Sequence, residues 1–128
     1  MRKALLIADD SKEKIVALTY FLKKAKWDGE IVTAMTTDEA TALIDETDFG
    51  FALIDYYMPS KNGPAVIAYL KKKNPSARIA LVSSSDKKSN WDEAKAAGAE
   101  ICICTSYQAD EVENSMLELL EDWKQNKK

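Results

Sequence analysis

The stretch Phe51-Ala52-Leu53-Ile54-Asp55-Tyr56-Tyr57-Met58-Pro59-Ser60-Lys61-Asn62-Gly63 decides the fold of this chain. Its apolar start is typical of a β-strand that is buried on both faces, and the Pro, Ser, Asn and Gly residues that follow are typical of a loop. The strand therefore brings one carboxylate, that of Asp55, to the start of a loop. Two interpretations of Asp55 are open at this point: a functional acid, or a loop cap whose side chain bonds nearby backbone amides.

Strand and helix patterns alternate along the rest of the chain. Further strand patterns cover residues 4–8, 31–34, 78–82 and 101–104, and each is followed by apolar residues at helical spacing. The predicted helices have recognisable start signals, which are Ser11, Thr36 with Glu39, Pro64, Ser89 with Asp92, and a start near Gln108. A polar tail is predicted over residues 124–128.

Five strands that alternate with five helices predict an α/β fold, a doubly wound parallel sheet with helices on both faces, because parallel neighbours need crossover connections. Such sheets bind ligands at the carboxyl ends of their strands, where the strand order reverses. With the order 2-1-3-4-5, Asp9 and Asp10 after the first strand meet Asp55 in one crevice. Three carboxylates repel one another unless they share a cation, and a site made of oxygen ligands suits Mg²⁺. A site of this kind can also receive a phosphoryl group.

Length and charge limit the classes of protein that this chain can be. Its 128 residues predict a single domain over 1–128, with no output domain. The formal net charge of −3 argues against nucleic-acid binding, and the cluster Lys71-Lys72-Lys73 is expected to be a solvated helix end. The sequence has no apolar run of the roughly 20 residues that span a membrane, and no secretory signal before the first strand. We expect a cytoplasmic protein that binds neither nucleic acid nor membranes.

Taken together, these features resemble the response regulator receiver domain of two-component signalling, over essentially the whole chain. The resemblance rests on the order and spacing of four features: the pair Asp9-Asp10, the loop Asp55-x-x-Met58-Pro59-x-x-x-Gly63, the hydroxyl residue Ser83 at the end of the fourth strand, and Ala97-Gly98-Ala99. It implies a flavodoxin-like (βα)5 fold with the strand order 2-1-3-4-5.

The resemblance also implies a role for each residue of the crevice. Asp55 matches the residue that accepts a phosphoryl group from a sensor histidine kinase or another phosphodonor. Asp9 and Asp10 match the ligands of Mg²⁺, with Asp55 and the backbone carbonyl of Tyr57 completing the metal site. Ser83 matches the switch hydroxyl that bonds a phosphoryl oxygen, although a serine here is also ordinary turn chemistry after a strand.

At the end of the fifth strand the chain departs from the family, in which a lysine followed by a proline is nearly universal. The equivalent residues here are Thr105 and Ser106. Threonine offers a neutral hydrogen bond in place of a cation, so phosphorylation is expected to be slower rather than absent. Their peptide bond is expected to be trans, because a cis bond without proline costs about 2.5–4 kcal/mol. Lys61, Lys87 and Lys88 are candidates for a replacement cation, although a solvated surface position is the ordinary role of each.

Three further residues of the second half of the chain need an interpretation. Cys102 stands where the family has its switch aromatic, so the usual coupling between the switch hydroxyl and ring burial is in doubt. Cys102 and Cys104 share one face of a strand with Cα atoms ~6.5–7 Å apart, at the limit of disulfide reach, and are expected to be small buried residues. Trp91 has two open interpretations, an exposed anchor for a partner or half-buried packing.

Two functions from different classes follow. The first is a stand-alone response regulator receiver, a Mg²⁺-dependent phospho-acceptor switch that signals to a downstream protein through the surface of helix 4, strand 5 and helix 5. The second is a pseudo-receiver, an interaction module without efficient phosphotransfer. A small aspartyl phosphohydrolase is disfavoured, because Asp55-Tyr56-Tyr57 lacks the second acid two residues on. We therefore expect a signalling domain rather than an enzyme, with at most weak self-catalysed phosphotransfer and dephosphorylation.

Overall fold

The structure, a computed structural model, describes residues 2–125. Five strands alternate with five helices, as predicted. The strands are β1 (Ala4–Ala8), β2 (Ile31–Ala34), β3 (Phe49–Ile54), β4 (Arg78–Ser83) and β5 (Ile101–Cys104). The helices are α1 (Lys12–Lys24), α2 (Thr37–Glu46), α3 (Gly63–Lys73), α4 (Lys88–Ala97) and α5 (Ala109–Gln125). The predicted polar tail has its first residues at the end of α5, and residues 126–128 lie outside the described part.

The five strands form one parallel sheet in the order β2-β1-β3-β4-β5, which confirms the predicted flavodoxin-like topology. The order reverses between β1 and β3, whose last residues, Ala8 and Ile54, are partners in the register. Residues that follow these two strands therefore come out side by side at the same edge of the sheet. The acidic residues after β1 and β3 occupy this position.

Two apolar layers cover the two faces of the sheet, because successive side chains of a strand point to opposite faces. In β1, Leu5 and Ile7 join the layer under α1 and α5, whereas Leu6 and Ala8 join the layer under α2, α3 and α4. The predicted stripe of α5 is buried in full and ends at Trp123. The central strands β1, β3 and β4 are buried on both faces as their continuous apolar runs predict, whereas Thr33 in β2 and Ile101 in β5 are exposed at the edges of the sheet.

The predicted cap residues are confirmed for α1 and α2, whereas the cap residue predicted for α4 is wrong. The Ser11 hydroxyl accepts a hydrogen bond from the Lys14 amide, and the Thr36 hydroxyl accepts one from the Glu39 amide. The predicted cap Ser89 instead lies inside α4, whose cap residue is Lys87. The helix begins earlier because the Lys87 carbonyl already accepts hydrogen bonds from the amides of Asn90 and Trp91.

Two expectations from composition can be compared with the fold. No helix within residues 2–125 is long and apolar enough to cross a bilayer.

The basic cluster Lys71-Lys72-Lys73 forms the last turn of α3, where cations suit the helix dipole. Lys71 does more than contact solvent, since its ammonium donates to the carbonyls of Pro75 and Ala77 in the following loop.

Candidate functional site

Three carboxylates meet at the carboxyl edge of the sheet. Asp9 and Asp10 directly follow β1, and Asp55 directly follows β3. One oxygen of each lies within 4.8 Å of the others. The Asp9 side chain is 1% exposed and that of Asp55 is 12% exposed, whereas Asp10 is open to solvent. The predicted convergence of the three acids is therefore present.

Backbone hydrogen bonds of the sheet fix the two inner acids. The Asp55 amide donates to the Ala8 carbonyl at 2.9 Å, and the Asp9 amide donates to the Ala34 carbonyl at 2.9 Å. Asp9 Oδ1 in turn accepts from the Ser11 amide, and Asp55 Oδ1 accepts from the Tyr56 amide, both at 2.9 Å. Asp55 thus bonds one nearby amide, as the loop-cap interpretation expects, but that amide is not its only partner.

The ammonium group of Lys14, from the first turn of α1, lies between the two inner acids. Lys14 Nζ is 3.0 Å from Asp55 Oδ1 and 3.0 Å from Asp9 Oδ2, and it also donates to the carbonyl of Val82 in β4. Its contact with Asp9 Oδ2 is an ion pair that lacks the alignment of a hydrogen bond, so this buried oxygen has no hydrogen-bond partner in the described residues. The Lys14 side chain is only 14% exposed.

Opposing effects act on the ionisation of Asp55. Burial raises the pKa of Asp55 above its ordinary value of 3.8, and the Lys14 ammonium opposes this shift. The neighbouring Asp9 carboxylate raises the pKa further, whereas the Tyr56 amide lowers it. The net direction is upward, because removal of a carboxylate from water costs more than these contacts return.

The loop after β3 is shaped by a close approach of α3. A Cβ atom at Gly63 would overlap the carbonyl oxygen of Asp55, so no other residue fits without a shift of the backbone. The Gly63 amide donates to the Tyr56 carbonyl at 2.6 Å. On the other side, the Thr37 hydroxyl of α2 donates to the Lys61 carbonyl. These contacts hold the loop beside the acids.

The two tyrosines after Asp55 connect the loop to α4. Tyr56 is buried, and its hydroxyl donates to Glu93 Oε1 at 2.6 Å. The Tyr57 side chain is about half exposed, and its hydroxyl accepts from Asn90 Nδ2 at 3.1 Å. The role of the Tyr57 carbonyl as a metal ligand stays a prediction.

Ser83 and Thr105 lie at the ends of β4 and β5. Ser83 is 1% exposed, and its hydroxyl accepts from the Ser85 amide at 3.2 Å, which is the turn chemistry expected after a strand. The Thr105 amide donates to the Ser83 carbonyl at 2.8 Å. Among the described residues no hydrogen bond joins the Thr105 side chain to Asp55. The peptide bond between Thr105 and Ser106 is trans, as predicted.

The ammonium that lies between the inner acids belongs to Lys14, which was not among the predicted candidates for a replacement cation. Lys61, Lys87 and Lys88 are all exposed, and Lys88 pairs with Asp92 on its own helix at 2.8 Å. Lys14 occupies the position between the acids instead. The sequence does contain a signal for it, since a lysine in the first turn of a helix opposes the helix dipole, and this helix begins directly after the acidic pair.

The remaining residues have structural surroundings. Cys102 and Cys104 are both buried and free, as predicted. Trp91 is half-buried against the apolar layer of α2, α3 and α4, and its indole N–H donates to the Ser85 carbonyl. This contact supports packing rather than an exposed anchor.

Comparisons with known proteins identify the family and support the fold. Residues 5–117 match the family described as the response regulator receiver domain. The fold is similar to a CheY-like receiver from Methanospirillum hungatei JF-1, with 22% identity, a TM-score of 0.79 and 98% of each chain covered. None of the curated proteins matches the chain.

Two further solved structures show ligand states of similar proteins. The phosphorylated cyanobacterial phytochrome response regulator RcpA has 19% identity and a TM-score of 0.81, with 96% of this chain and 94% of that chain covered. The Mn²⁺-bound form of response regulator Rcp1 has 17% identity and a TM-score of 0.80, with 94% of each chain covered. At these identities the likeness establishes the fold.

Proposed function

The chain belongs to the response regulator receiver family, and we propose that it acts as a Mg²⁺-dependent phospho-acceptor switch that is phosphorylated on Asp55. One observation carries this proposal. The Asp55 carboxylate lies at the switch point of the sheet, within 4.8 Å of oxygens from Asp9 and Asp10. An acid cluster in this position serves no packing purpose, because like charges in a crevice repel.

The two oxygens of Asp55 have different surroundings. Oδ1 accepts from Lys14 and from the Tyr56 amide, whereas Oδ2 has no hydrogen bond to a described residue. Oδ2 is therefore the free nucleophile. It forms a bond to phosphorus while the bond from phosphorus to the donor breaks, and the donor atom keeps the electron pair. The donor is the phosphohistidine of a sensor histidine kinase or a small acyl phosphate. The Ser83 hydroxyl then donates to a phosphoryl oxygen.

The residues present fit a Mg²⁺ ion. Asp9 Oδ2 is a buried carboxylate oxygen without a hydrogen bond, and Asp10 is open enough to keep metal-bound water. Mg²⁺ prefers oxygen ligands and usually keeps several of its water molecules when it binds to a protein. Asp9, Asp10, Asp55 and the Tyr57 carbonyl would hold the ion. When bound, it would neutralise part of the charge on the phosphoryl group.

The output of the switch is a protein contact. We assign it to the surface formed by α4, β5 and α5, where a groove runs between Trp91, Ile101 and Tyr107. A cytoplasmic receiver that binds a downstream protein remains our expectation, as does the absence of an enzymatic role beyond slow self-catalysed phosphotransfer and dephosphorylation.

A second candidate function rests on Lys14. Because its ammonium already pairs with both inner acids, the crevice is charge-compensated without a metal or a phosphoryl group. Such a crevice suits a pseudo-receiver, which keeps the fold as an interaction module. We rank it second, because Asp10 and the free oxygens of Asp9 and Asp55 would then have no purpose.

Labelling with a small acyl phosphate distinguishes the phospho-acceptor switch from the pseudo-receiver. Wild type in acetyl phosphate and Mg²⁺ should form an acid-stable, hydroxylamine-labile adduct. Asp55→Asn should form none, and the exposed control Asp48→Asn should match wild type. The proposal fails if saturating donor leaves wild type unmodified, a result that would favour the pseudo-receiver.

A further inference from the structure

The ammonium of Lys14 is held at three points inside the crevice. It donates hydrogen bonds to Asp55 Oδ1 and to the Val82 carbonyl, and it forms an ion pair with Asp9 Oδ2 at 3.0 Å. These partners belong to three neighbouring strand ends, and the lysine comes from α1, the helix that directly follows the first of these strands. An ordinary surface lysine would not be 14% exposed with two hydrogen bonds and a second ion pair at these strand ends.

The backbone of Lys14 is fixed as well. Its amide donates to the Ser11 hydroxyl at 3.2 Å, which closes the first turn of α1. A cation in the first turn opposes the helix dipole, so local helix energetics disfavour a lysine here. The attraction that offsets this effect comes from Asp9 and Asp55, both of which are more than four-fifths buried.

No other cation of the described residues contacts these two acids, and Thr105 offers none from the end of β5. We infer that Lys14 is a catalytic residue of phosphoryl transfer, which supplies from α1 the positive charge that receivers ordinarily supply from the end of β5. This inference rests on the proposed acceptor function of Asp55. It differs from the expectation that phosphorylation is slower because Thr105 offers no cation.

Lys14 acts at two stages of the transfer. Before it, the bond from Nζ to Asp55 Oδ1 fixes the rotation of the carboxylate and leaves Oδ2 free. As Oδ2 bonds to phosphorus, the ammonium turns one N–H toward a phosphoryl oxygen. It gains a charge-assisted hydrogen bond there without crossing the crevice.

A lysine swap separates this role from a purely structural ion pair. Lys14→Gln should lower the acetyl phosphate labelling rate by about 10²-fold, the usual cost of one preorganised donor to a developing charge. Thr105→Lys added to Lys14→Gln should restore most of that loss. The matched control is Lys12→Gln, an exposed lysine in the same helical turn, which should keep the wild-type rate.

Two binding measurements need no chemical turnover. Lys14→Gln should bind beryllofluoride, a phosphoryl mimic, about tenfold more weakly in the presence of Mg²⁺, which corresponds to one lost charge-assisted contact. The same variant should bind Mg²⁺ alone more tightly, because three carboxylates then face the metal without a competing ammonium. Removal of any ammonium that pairs with the metal ligands is expected to tighten Mg²⁺ binding, so the beryllofluoride measurement is the one that distinguishes a catalytic lysine from a structural ion pair.

The outcomes separate the two proposals. The inference would be overturned if Lys14→Gln were labelled at the wild-type rate and bound beryllofluoride as tightly as wild type. It would also be overturned if a folded Lys14→Gln variant lost labelling rate and Thr105→Lys did not restore it. If Lys14→Gln does not fold, the labelling rates of Lys14→Arg and of the double variant Lys14→Gln/Thr105→Lys are measured instead, since each of these variants keeps a cation in the crevice. A wild type that takes no phosphoryl group, yet binds beryllofluoride through Lys14, would overturn the acceptor function alone. A wild type that binds neither would overturn both.

Discussion

Lys14 Nζ lies 3.0 Å from Asp55 Oδ1, although the two residues are 41 positions apart in the chain. The contact joins the first turn of α1 to the end of β3 across the crevice of the sheet. Lys14 is the only residue among those described whose ammonium pairs with the acid cluster. The crevice therefore contains a positive charge that comes from α1 and not from the end of β5.

Asp55 should reduce the stability of the folded protein at neutral pH. Its pKa is raised in the folded state, mainly by burial, so the folded chain holds this proton more tightly than the unfolded chain. The stability that the protonated form contributes is present below pH 3.8 and is lost as pH rises through the folded pKa. Asp55→Asn should therefore match wild type in acid and be more stable at neutral pH. Urea unfolding in EDTA at a series of pH values measures this difference.

The exposed acid Glu118 provides the control for that series, since Glu118→Gln should not change the pH dependence. A variant Asp55→Asn that is less stable than wild type at neutral pH would mean that the Lys14 contact outweighs the cost of burial.

Gly63→Ala should destabilise the fold and disturb the acceptor together. The new methyl group would overlap the Asp55 carbonyl oxygen, and α3 would have to move away from β3. We expect a loss of about 1–3 kcal/mol in the free energy of unfolding, as for other overpacked sites. Denaturant unfolding checks it, with Gly29→Ala as control, because its methyl group would lie 3.1 Å from its nearest neighbours. Equal losses in the two variants would contradict the structure.

The hydrogen bond from Tyr56 to Glu93 should couple the acceptor loop to α4. It also raises the pKa of the Tyr56 phenol, mainly because the carboxylate accepts the phenol proton. Tyr56→Phe should cost about 1 kcal/mol of stability, and a double-mutant cycle with Glu93→Gln should assign most of that cost to the pair. Tyr69→Phe is the matched control, since Tyr69 donates to Asp45 at an exposed position and should cost less. An additive cycle would exclude the coupling.

The two cysteines should react slowly in the native protein. Burial raises the pKa of the Cys102 thiol, and the side chains of Cys102 and Cys104, both in β5, are buried. Alkylation should be on the order of 10²-fold slower than in denaturant, because reagent access requires local opening. Mass spectrometry of Cys102→Ala and Cys104→Ala assigns each rate. Fast modification of Cys102 in the folded state would show that β5 is more open than this structure.

Sequence patterns were sufficient for the parallel sheet and for the acids at its strand ends, whereas the strand order came from the resemblance to receiver domains. Continuous apolar runs that end in Asp9 and Asp55 predict buried strands, and their alternation with helices predicts that the strands are parallel. Strand ends and helix starts depend on short-range signals, so their bounds were predicted to within a residue or two in most elements. The start of α4 was missed because Ser89 suggested a cap, whereas the Lys87 carbonyl accepts the first helical hydrogen bonds.

Lys14 escaped prediction for a physical reason. Its partners are distant in sequence, and a long flexible side chain gives no periodic pattern that indicates where its charge lies. The predicted candidates for a replacement cation, such as Lys61 and Lys87, were loop residues near the crevice. A helix that starts directly after an acidic pair also faces the crevice, and its first-turn lysines were the better candidates.

The most direct test of the central claim is a crystal structure of the protein with beryllofluoride and Mg²⁺. We expect beryllium bonded to Asp55 and Lys14 Nζ within hydrogen-bond distance of a fluoride, in the place where receivers ordinarily present a lysine from the end of β5. A complex in which Lys14 turns to solvent, or in which its ammonium stays between Asp9 and Asp55 and touches no fluoride, would contradict the account.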